Sequence, residues 1–318
     1  MIKRAFFFAF STAMTFWSGA ATAADWPAKT IHIVVPFGPA GVADRIGRVV
    51  AEQLSAELKQ PVVVENRGGA GGVVGSLQVA RAEPDGYTLL ISGLGTQVIA
   101  PAINPNSGYD SARNFTHIAY IGGPPIGWVV PTSSDIRMIG DVVTQARAGK
   151  FTSYASSGVG TIGHLVVESV IQKTGIKINH VPYNTAALTD IIAGHVPMAS
   201  YAWGSVAGPI QGGAVRAIGV TTEKRLADFP NVPTFKEAGY DLVARTWFAL
   251  SGPAGLPKEI VQRLNQEVIK MLKRPDVLQR LAQDTIESNE MTPEGLTKFL
   301  ETENTRWKPI AISAGMKK

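Results

Sequence analysis

The feature of the sequence that most limits its fold is a regular alternation of short apolar runs with amphipathic helical segments. Residues 30–35 form one such run, and the segment 44–58 that follows places its large apolar residues on a single helical face. This alternation is typical of parallel strands joined by helices. The sequence therefore predicts an α/β fold in which parallel sheets are flanked by helices.

The same pattern locates the other elements in a chain of 318 residues, which is long enough for two domains. Further strands are predicted at 61–65, 87–92, 116–121, 127–131, 151–155, 178–181, 196–201, 214–221 and 244–250. Further helices are predicted up to residue 82 after a glycine-rich turn at 68–72, and at 138–148, 161–174, 185–194, 257–273 and 293–308. A looser stretch is expected at 101–114, and connections between two lobes at 122–125 and 238–240.

The N-terminus has the layout of a secretory signal peptide. Lys3 and Arg4 precede an apolar segment at 5–17, and small residues follow with Ala21-Thr22-Ala23 in the pattern of a cleavage site. The apolar segment is shorter than the roughly 20 residues that a membrane span requires. We therefore expect residues 1–23 to be removed after about Ala23 and the mature chain to reach the periplasm.

Composition excludes several classes of protein. The chain contains no cysteine, which rules out disulfides, thiolate metal sites and cysteine nucleophiles. Removing Lys3 and Arg4 with the leader leaves 28 basic against 25 acidic residues, a net charge of +3. Because no cluster of Lys and Arg remains, nucleic acid is not an expected partner.

Motifs for catalysis or cofactor binding are also missing. The chain has no P-loop and no G-x-S-x-G, and the glycine run 68–75 does not match a dinucleotide fingerprint. Its five histidines form no zinc-binding pair, and His164 and Glu168, one helical turn apart, are expected to form a surface ion pair. We expect no catalytic residue, metal or cofactor, although a secreted hydrolase with an unrecognised site stays an open alternative.

Two junctions between a strand and a helix are candidate anion sites, one in each half of the chain. The first spans residues 36–44, and the second spans residues 156–161. Free N–H groups and the helix dipole attract anions at such positions, and Ser156, Ser157 and Thr161 add hydroxyl donors. Since neither loop contains Lys or Arg, the arrangement suits a carboxylate that is later released. The alternative is that these residues only cap helices.

The sparse aromatic residues give a further candidate. Tyr201 and Trp203 follow an apolar strand, and strand ends in such folds face the crevice between domains. These rings are therefore expected either to form a wall of a ligand site or to pack in an ordinary core.

Seven stretches, in consistent order from residue 26 to the C-terminus, resemble one family. They are Trp26-Pro-Ala-Lys-Thr-Ile-His-Ile-Val-Val-Pro-Phe37, Val62-Val-Val-Glu-Asn-Arg67, Pro84-Asp-Gly-Tyr-Thr-Leu-Leu90, His180-Val-Pro-Tyr183, Ala187-Leu-Thr-Asp-Ile-Ile-Ala-Gly194, Asn231-Val-Pro-Thr234 and Trp247-Phe-Ala-Leu-Ser-Gly-Pro-Ala-Gly255. Together they resemble the Bug (TctC-like) family, the periplasmic solute-binding components of tripartite tricarboxylate transporters.

This resemblance implies a two-lobed periplasmic-binding-protein (Venus flytrap) fold with a ligand cleft between the lobes. Residues 24–124 and 241–318 would form lobe 1, and residues 125–240 would form lobe 2. The implied function is capture of a small organic carboxylate and its delivery to the membrane subunits of the transporter, by a chain we expect to be monomeric. Presentation of the ligand to a sensor is an alternative. The family's ligand-binding positions correspond here to Phe37, Ala40, Gly41, Val42, Asp44, Ser157, Gly158, Gly160, Thr161, Tyr183 and Asp190.

The sequence departs from the family pattern at two places. The first loop commonly contains a Gly-Gly pair, and here it reads Pro39-Ala40-Gly41. The strand near Met198 often ends in an acidic residue, where this chain has Ser200 or Tyr201. Loss of that acid argues against an amino-acid ligand. Tyr201 and Trp203 would allow stacking on a flat ligand, so an aromatic carboxylate is slightly favoured.

Overall fold

The computed structural model describes residues 26–104, 106–183 and 188–314. The predicted signal peptide, residues 1–23, and the start of the predicted helix 185–194 lie outside these ranges. No helix of the described residues is both long enough and apolar enough to span a membrane.

The described strands and helices follow the predicted alternation. The strands are β1 (Ile31–Val35), β2 (Val62–Asn66), β3 (Thr88–Gly93), β4 (Phe115–Gly122), β5 (Ile126–Pro131), β6 (Ser153–Ser156), β7 (Asn179–Pro182), β8 (Ala199–Ala202), β9 (Val215–Val220) and β10 (Phe248–Pro253). The α-helices are α1 (Val42–Leu58), α2 (Val73–Ala80), α3 (Ala100–Ile103), α4 (Ile139–Arg147), α5 (Ile162–Thr174), α6 (Leu188–Ile192), α7 (Trp203–Gln211), α8 (Lys258–Met271), α9 (Pro275–Ala282) and α10 (Pro293–Ser313).

The strands form two five-stranded sheets, which are mixed and not parallel as predicted. The first sheet has the order β2-β1-β3-β10-β4, and the second has the order β7-β6-β8-β5-β9. In the first sheet β10 is antiparallel to β3 and β4, and in the second β5 is antiparallel to β8 and β9. The prediction of purely parallel sheets was wrong because β10 and β5 each insert between strands that run the other way.

Two chain segments connect the sheets and lie side by side. One is the short link between β4 and β5, and the other leads from β9 to β10. Pro125 forms an antiparallel bridge with Arg245, and the Thr246 N–H donates to the carbonyl of Pro124 at 2.9 Å. The Ala244 N–H still donates to the carbonyl of Thr221, beside the second sheet. The second connection therefore reaches the first sheet later in the chain than the predicted stretch 238–240.

Some helical segments of the described residues were not predicted, or were predicted only in general terms. A π-helix, Gly95–Ile99, continues directly into α3, which falls within the stretch expected to be loose. Helix α7 starts at Trp203 and contains Pro209, a residue that normally argues against a helix interior. Helix α9 lies in the C-terminal part that was predicted only as generally helical.

Helix α10 joins the two halves of the molecule through apolar packing. Leu296, Leu300 and Trp307 are buried as predicted, and they belong to one hydrophobic cluster that includes Trp247 of the first half and Trp128 of the second. Phe299 is half-buried, with its ring edge-on to the rings of Tyr120 and Trp247. Helix α10 therefore packs into an apolar core that residues of both halves share.

Candidate functional site

The two predicted anion loops both lie at the carboxyl ends of strands. The loop 36–41 follows β1 and leads into α1, and the loop 157–161 follows β6 and leads into α5. One helical segment contacts both: a Cβ atom on Gly95 of the π-helix would lie 4.0 Å from Cζ of Phe37, and a Cβ atom on Gly160 would lie 3.1 Å from Cγ2 of Ile99. The segment 95–103 therefore brings the two loops to one region, where a crevice between sheets is expected.

Asp44 shapes the first loop from inside. Its carboxylate is buried and accepts hydrogen bonds from the Ala40 N–H at 2.9 Å, Asn66 Nδ2 at 2.9 Å and Arg48 Nε at 3.1 Å. Burial raises the pKa of Asp44, but the hydrogen bonds from Arg48, Asn66 and Ala40 outweigh it, so that the pKa lies below the ordinary value. Asp44 is therefore an ionised residue that holds the loop in place.

The N-terminus of α1 is open toward this loop. Its N-cap, Gly41, makes no side-chain capping hydrogen bond. The first-turn N–H groups of Val42 and Ala43 have no partner within the helix, which follows from helix geometry. Ala40 and Gly41 are exposed, and Phe37 is half-buried against the glycine turn through Gly72. The predicted first loop thus presents N–H groups without any side-chain cap.

The second loop is held largely by its own hydrogen bonds. The Thr161 hydroxyl donates to the carbonyl of Gly158 at 2.9 Å and accepts from the His164 N–H at 3.4 Å as the N-cap of α5. Ser156 is buried, and its Oγ accepts from the Gly158 N–H at 3.2 Å. Both hydroxyls are therefore engaged within the loop, whereas Ser157 is exposed and its side chain has no hydrogen-bond partner among the described residues.

His164 and Glu168 do not form the predicted surface pair. His164 is 4% exposed, and its Nε2 lies 3.6 Å from Oε1 of Glu168, which also accepts a hydrogen bond from the Tyr154 hydroxyl at 2.9 Å. The prediction was wrong because helical spacing does not reveal that this face of α5 packs on β6 and β7. Burial raises the pKa of Glu168, and the hydrogen bonds from His164 and Tyr154 bring it below the ordinary value.

Tyr183 and Asp190 are brought together beside the second loop. The Tyr183 N–H donates to the carbonyl of Ser156 at 3.0 Å, and its hydroxyl donates to Oδ2 of Asp190 at 2.8 Å. The hydrogen bond from Tyr183 is the main cause that lowers the pKa of Asp190, with a second contribution from His195. This pair lies at the carboxyl end of β7, next to the end of β6.

Tyr201 and Trp203 lie within the core of the second half. They are 6% and 1% exposed, and the ring of Trp203 packs edge-on against Phe229 at 5.0 Å. A Cβ atom on Gly127 would lie 2.7 Å from the Trp203 ring, so the strand β5 has room for this ring only because Gly127 has no side chain. These contacts are those of packing in an ordinary core, one of the two alternatives predicted for Tyr201 and Trp203.

Sequence reasoning missed a second contact between the two halves near the first loop. Arg45 Nε donates to Oδ2 of Asp284 at 2.8 Å, and Arg45 Nη1 donates to the carbonyl of Ala40 at 2.6 Å. A Cβ atom on Gly204, near the start of α7, would lie 3.1 Å from the carbonyl oxygen of Asp284. Since α7 itself was not predicted, the sequence carried no signal for this contact.

One well-formed cavity of the described residues lies away from the two loops. A cavity of about 820 Å³, lined in part by His117, Gln262, Asn265 and Thr297, opens at the amino-terminal end of β4, away from both loops. Within the described ranges no group of His, Asp and Glu side chains is arranged to hold a metal ion.

Two mixed sheets flanked by helices, with paired connections between them, define a two-lobed solute-binding protein of the periplasmic type. The model of the tripartite tricarboxylate transporter family receptor (TctC) matches residues 46–316. The chain therefore belongs to this receptor family, whose members are periplasmic solute-binding proteins and not enzymes. The resemblance inferred from sequence motifs is confirmed.

Individual relatives cover nearly the whole chain. The "UPF0065 protein in tcbD-tcbE intergenic region" of Pseudomonas sp. (strain P51) is 36% identical over 90% of this chain and 87% of its own length. Protein BugT of Bordetella pertussis is 32% identical over 93% of this chain and 92% of its own. The R. palustris protein Rpa4515, solved with adipate, is 31% identical with a TM-score of 0.80, over 92% of this chain and 99% of its own.

Proposed function

We propose that this protein captures a small organic carboxylate between its two lobes and delivers it to the membrane subunits of a tripartite tricarboxylate transporter. The observation that carries the proposal is the meeting of two helix N-termini, those of α1 and α5, in one region without any Lys or Arg in either loop. N–H groups and hydroxyls can bind a carboxylate there and release it without breaking an ion pair.

Each loop would hold one end of the ligand. At the first loop, the uncapped N–H groups of Val42 and Ala43 would bind one end, with Phe37, Ala40 and Gly41 around them. At the second, the exposed Ser157 hydroxyl and the N–H groups at the start of α5 would bind the other end. Gly158, Gly160 and Thr161 shape that loop, and Tyr183 with Asp190 would border it.

The lobes of this proposal are residues 24–124 with 241–318, and residues 125–240. The paired connections at Pro125 and Arg245 would be the hinge about which one lobe moves against the other. Closure would be favoured by a ligand that contacts both loops at once, because only contacts made in the closed state shift the equilibrium toward it.

An aliphatic dicarboxylate is the ligand class that we propose, in place of the aromatic acid favoured by the sequence. The rings of Tyr201 and Trp203 are buried and packed within lobe 2, which leaves little ring surface for stacking on a flat ligand. Rpa4515, a relative of similar fold, was solved with adipate, an acid of this class. The absence of an acidic side chain at Ser200 argues against an amino acid, whose ammonium group requires a counter-charge.

A thermal-shift experiment on the exported chain, residues 24–318, tests the proposal. The protein is unfolded, freed of bound ligand, refolded and heated with adipate, citrate, aspartate, benzoate or phthalate. A ligand at a thousandfold excess over its Kd stabilises the native state by about 4 kcal/mol. We expect adipate to raise the melting temperature most. A shift with benzoate or phthalate alone would contradict the ligand class, and no shift with any carboxylate would contradict the function.

Replacement of Ser157 tests the second loop directly. Loss of a hydroxyl that donates to a carboxylate weakens binding by about tenfold. We therefore expect Ser157→Ala to weaken adipate binding in calorimetry by this factor, whereas Ser133→Ala, at an exposed turn outside both loops, leaves it unchanged. Equal affinities in both variants would remove Ser157 from the site.

A further inference from the structure

A cluster of buried polar rings lies directly beneath the second loop. The rings of His164 on α5 and His180 on β7 stack with centroids 3.8 Å apart and planes inclined by 18°. Nε2 of His180 lies 2.7 Å from Oγ of Ser156, and the ring of Tyr154 lies beside both imidazoles, with its centroid 5.1 Å from that of His180 and 6.2 Å from that of His164. None of these rings is required by the proposed contacts to the ligand.

His164 has a polar partner at each end of its ring. Nδ1 accepts a hydrogen bond from the Gly160 N–H at 3.3 Å, and Nε2 faces Oε1 of Glu168 at 3.6 Å. An imidazole nitrogen that accepts an N–H cannot carry a proton, so the proton of a neutral His164 lies on Nε2, toward the carboxylate. The hydrogen bond to the loop therefore exists only while Nδ1 is unprotonated.

The loop residue held in this way has a constrained backbone. Gly160 has φ 79°, in the left-handed region, and its backbone contacts Ile99 of lobe 1. Gly158, with φ 130°, is held by Ser156 Oγ, which in turn contacts His180. Both glycine N–H groups of the loop are thus tied to the histidine cluster, one directly and one through Ser156.

The charged and titratable groups that face His164 come from three elements. They are Glu168 on its own helix, Tyr154 on β6 and His180 on β7. Burial lowers the pKa of His180 to about 4, with a further contribution from His164, so His180 is neutral at physiological pH. Two imidazolium rings stacked this closely would repel each other strongly.

We infer that His164 is a positioning residue for the ligand: its unprotonated Nδ1 holds Gly160 and thereby sets the geometry of the loop 157–161. This inference rests on the proposed function, because the loop is a carboxylate site only in that proposal. Protonation of Nδ1 replaces an acceptor with a donor that faces the Gly160 N–H. The loop then leaves its binding geometry, and its affinity for a carboxylate decreases.

The hydrogen bond is tested without any ligand by NMR of the ¹⁵N-labelled chain. We expect the Gly160 amide resonance to shift with pH and to follow the titration of the His164 ring. In His164→Asn, whose side-chain oxygen can accept the same N–H but does not titrate, the resonance should not move with pH. The matched control is His117→Asn. His117 is a buried histidine of β4 that is hydrogen-bonded to Ser251 Oγ and the Ser111 carbonyl, away from both loops. In this variant the Gly160 resonance should shift with pH as it does in the wild type.

Calorimetry with adipate tests the consequence for binding. Calorimetry at about pH 8 and about pH 5.5 should show wild-type affinity falling on acidification by about tenfold more than that of His164→Asn, whose side chain does not titrate. Titration of adipate itself affects the wild type and the Asn variant equally, so the difference between the two proteins excludes it. His164→Gln, which places its amide near Nε2, should bind about tenfold more weakly at both pH values.

The outcomes separate this inference from the proposed function. A Gly160 resonance that does not respond to pH, or an affinity that rises on acidification through attraction by an imidazolium, would overturn the positioning role. If the Gly160 resonance titrates as expected but no carboxylate binds at any pH, the proposed function is wrong and the binding role of His164 with it, while the hydrogen bond stands.

Discussion

Ala40 adopts a left-handed backbone conformation, φ 65°, a conformation that glycine adopts most readily. A non-glycine residue in this conformation is disfavoured by roughly 1 kcal/mol. Its N–H is held in place by Asp44, so the loop imposes the conformation on the residue. The departure from the family pattern noted in the sequence is therefore a site of backbone strain in the first loop.

Replacing Ala40 by Gly should relieve this strain. We expect Ala40→Gly to raise the free energy of unfolding by up to about 1 kcal/mol, because the gain in the native state exceeds the added freedom of the unfolded chain. Chemical denaturation measures the change. The matched control is Ala56→Gly in α1, an exposed helical position where the same substitution should cost about 1 kcal/mol. A loss of stability in both variants would show that Ala40 is unstrained.

At the same scale, the sequence located both loops but not the roles of their side chains. Glycine and serine after an apolar strand indicate a loop that opens a helix, which is a local property. Whether a hydroxyl such as that of Thr161 faces solvent or turns back to Gly158 depends on the folded loop. The burial of His164 depends on contacts with β6 and β7 across the fold, and no local pattern carries that information.

Among the elements, α10 is anchored by one buried carboxylate. Oε2 of Glu303 accepts hydrogen bonds from the indole N–H groups of Trp247 at 2.8 Å and Trp307 at 3.1 Å. Burial raises the pKa of Glu303 above its ordinary value, although the Trp247 hydrogen bond and the charge of Arg306 oppose this. The carboxylate thus fixes α10 to the start of β10 at a cost in desolvation.

The desolvation cost of the Glu303 carboxylate should make the stability of the protein depend on pH. Between the unfolded and the raised folded pKa of Glu303, the native state binds more protons, so the free energy of unfolding decreases as pH rises. We expect Glu303→Gln to be more stable than the wild type at neutral pH, with a difference that narrows on acidification. Glu303→Leu, which leaves both indole N–H groups without an acceptor, should lose about 2 kcal/mol. Denaturant titrations at several pH values measure the free energy of unfolding of the three proteins. A difference in this free energy between Glu303→Gln and the wild type that stays constant with pH would contradict the prediction.

The positions of the elements were predictable, but their directions were not. Continuous apolar runs marked every strand of the described residues to within a few positions. Periodicity is the same for a strand read in either direction, so the antiparallel placement of β10 and β5 could not be inferred from it. Helix α7 was missed because Gly204, Gly208 and Pro209 oppose a helix locally, whereas packing of Trp203 and Val206 stabilises it.

For the whole molecule, the two lobes proposed above would meet at contacts on either side of the loops. On one side Gly160 of lobe 2 lies against Ile99 of lobe 1, and on the other Gly204 lies against the backbone of Asp284. Asp284 is in turn bound by Arg45, which also holds the carbonyl of Ala40. Contact between the lobes at Gly204 is therefore linked to the shape of the first loop, which makes closure and ligand binding one equilibrium in the proposed mechanism.

A bulky residue at Gly204 should hold the lobes apart. A Cβ atom there would already be 3.1 Å from the Asp284 carbonyl oxygen, so a leucine side chain has no room in the arrangement described. We expect Gly204→Leu to weaken adipate binding by about tenfold or more and to increase the radius of gyration in small-angle X-ray scattering. The matched control is Gly140→Leu, also the second residue of a lobe 2 helix, α4, where a Cβ meets no atom within 4 Å. If Gly204→Leu binds adipate as tightly as Gly140→Leu with the same radius of gyration, the contact at Asp284 does not take part in closure.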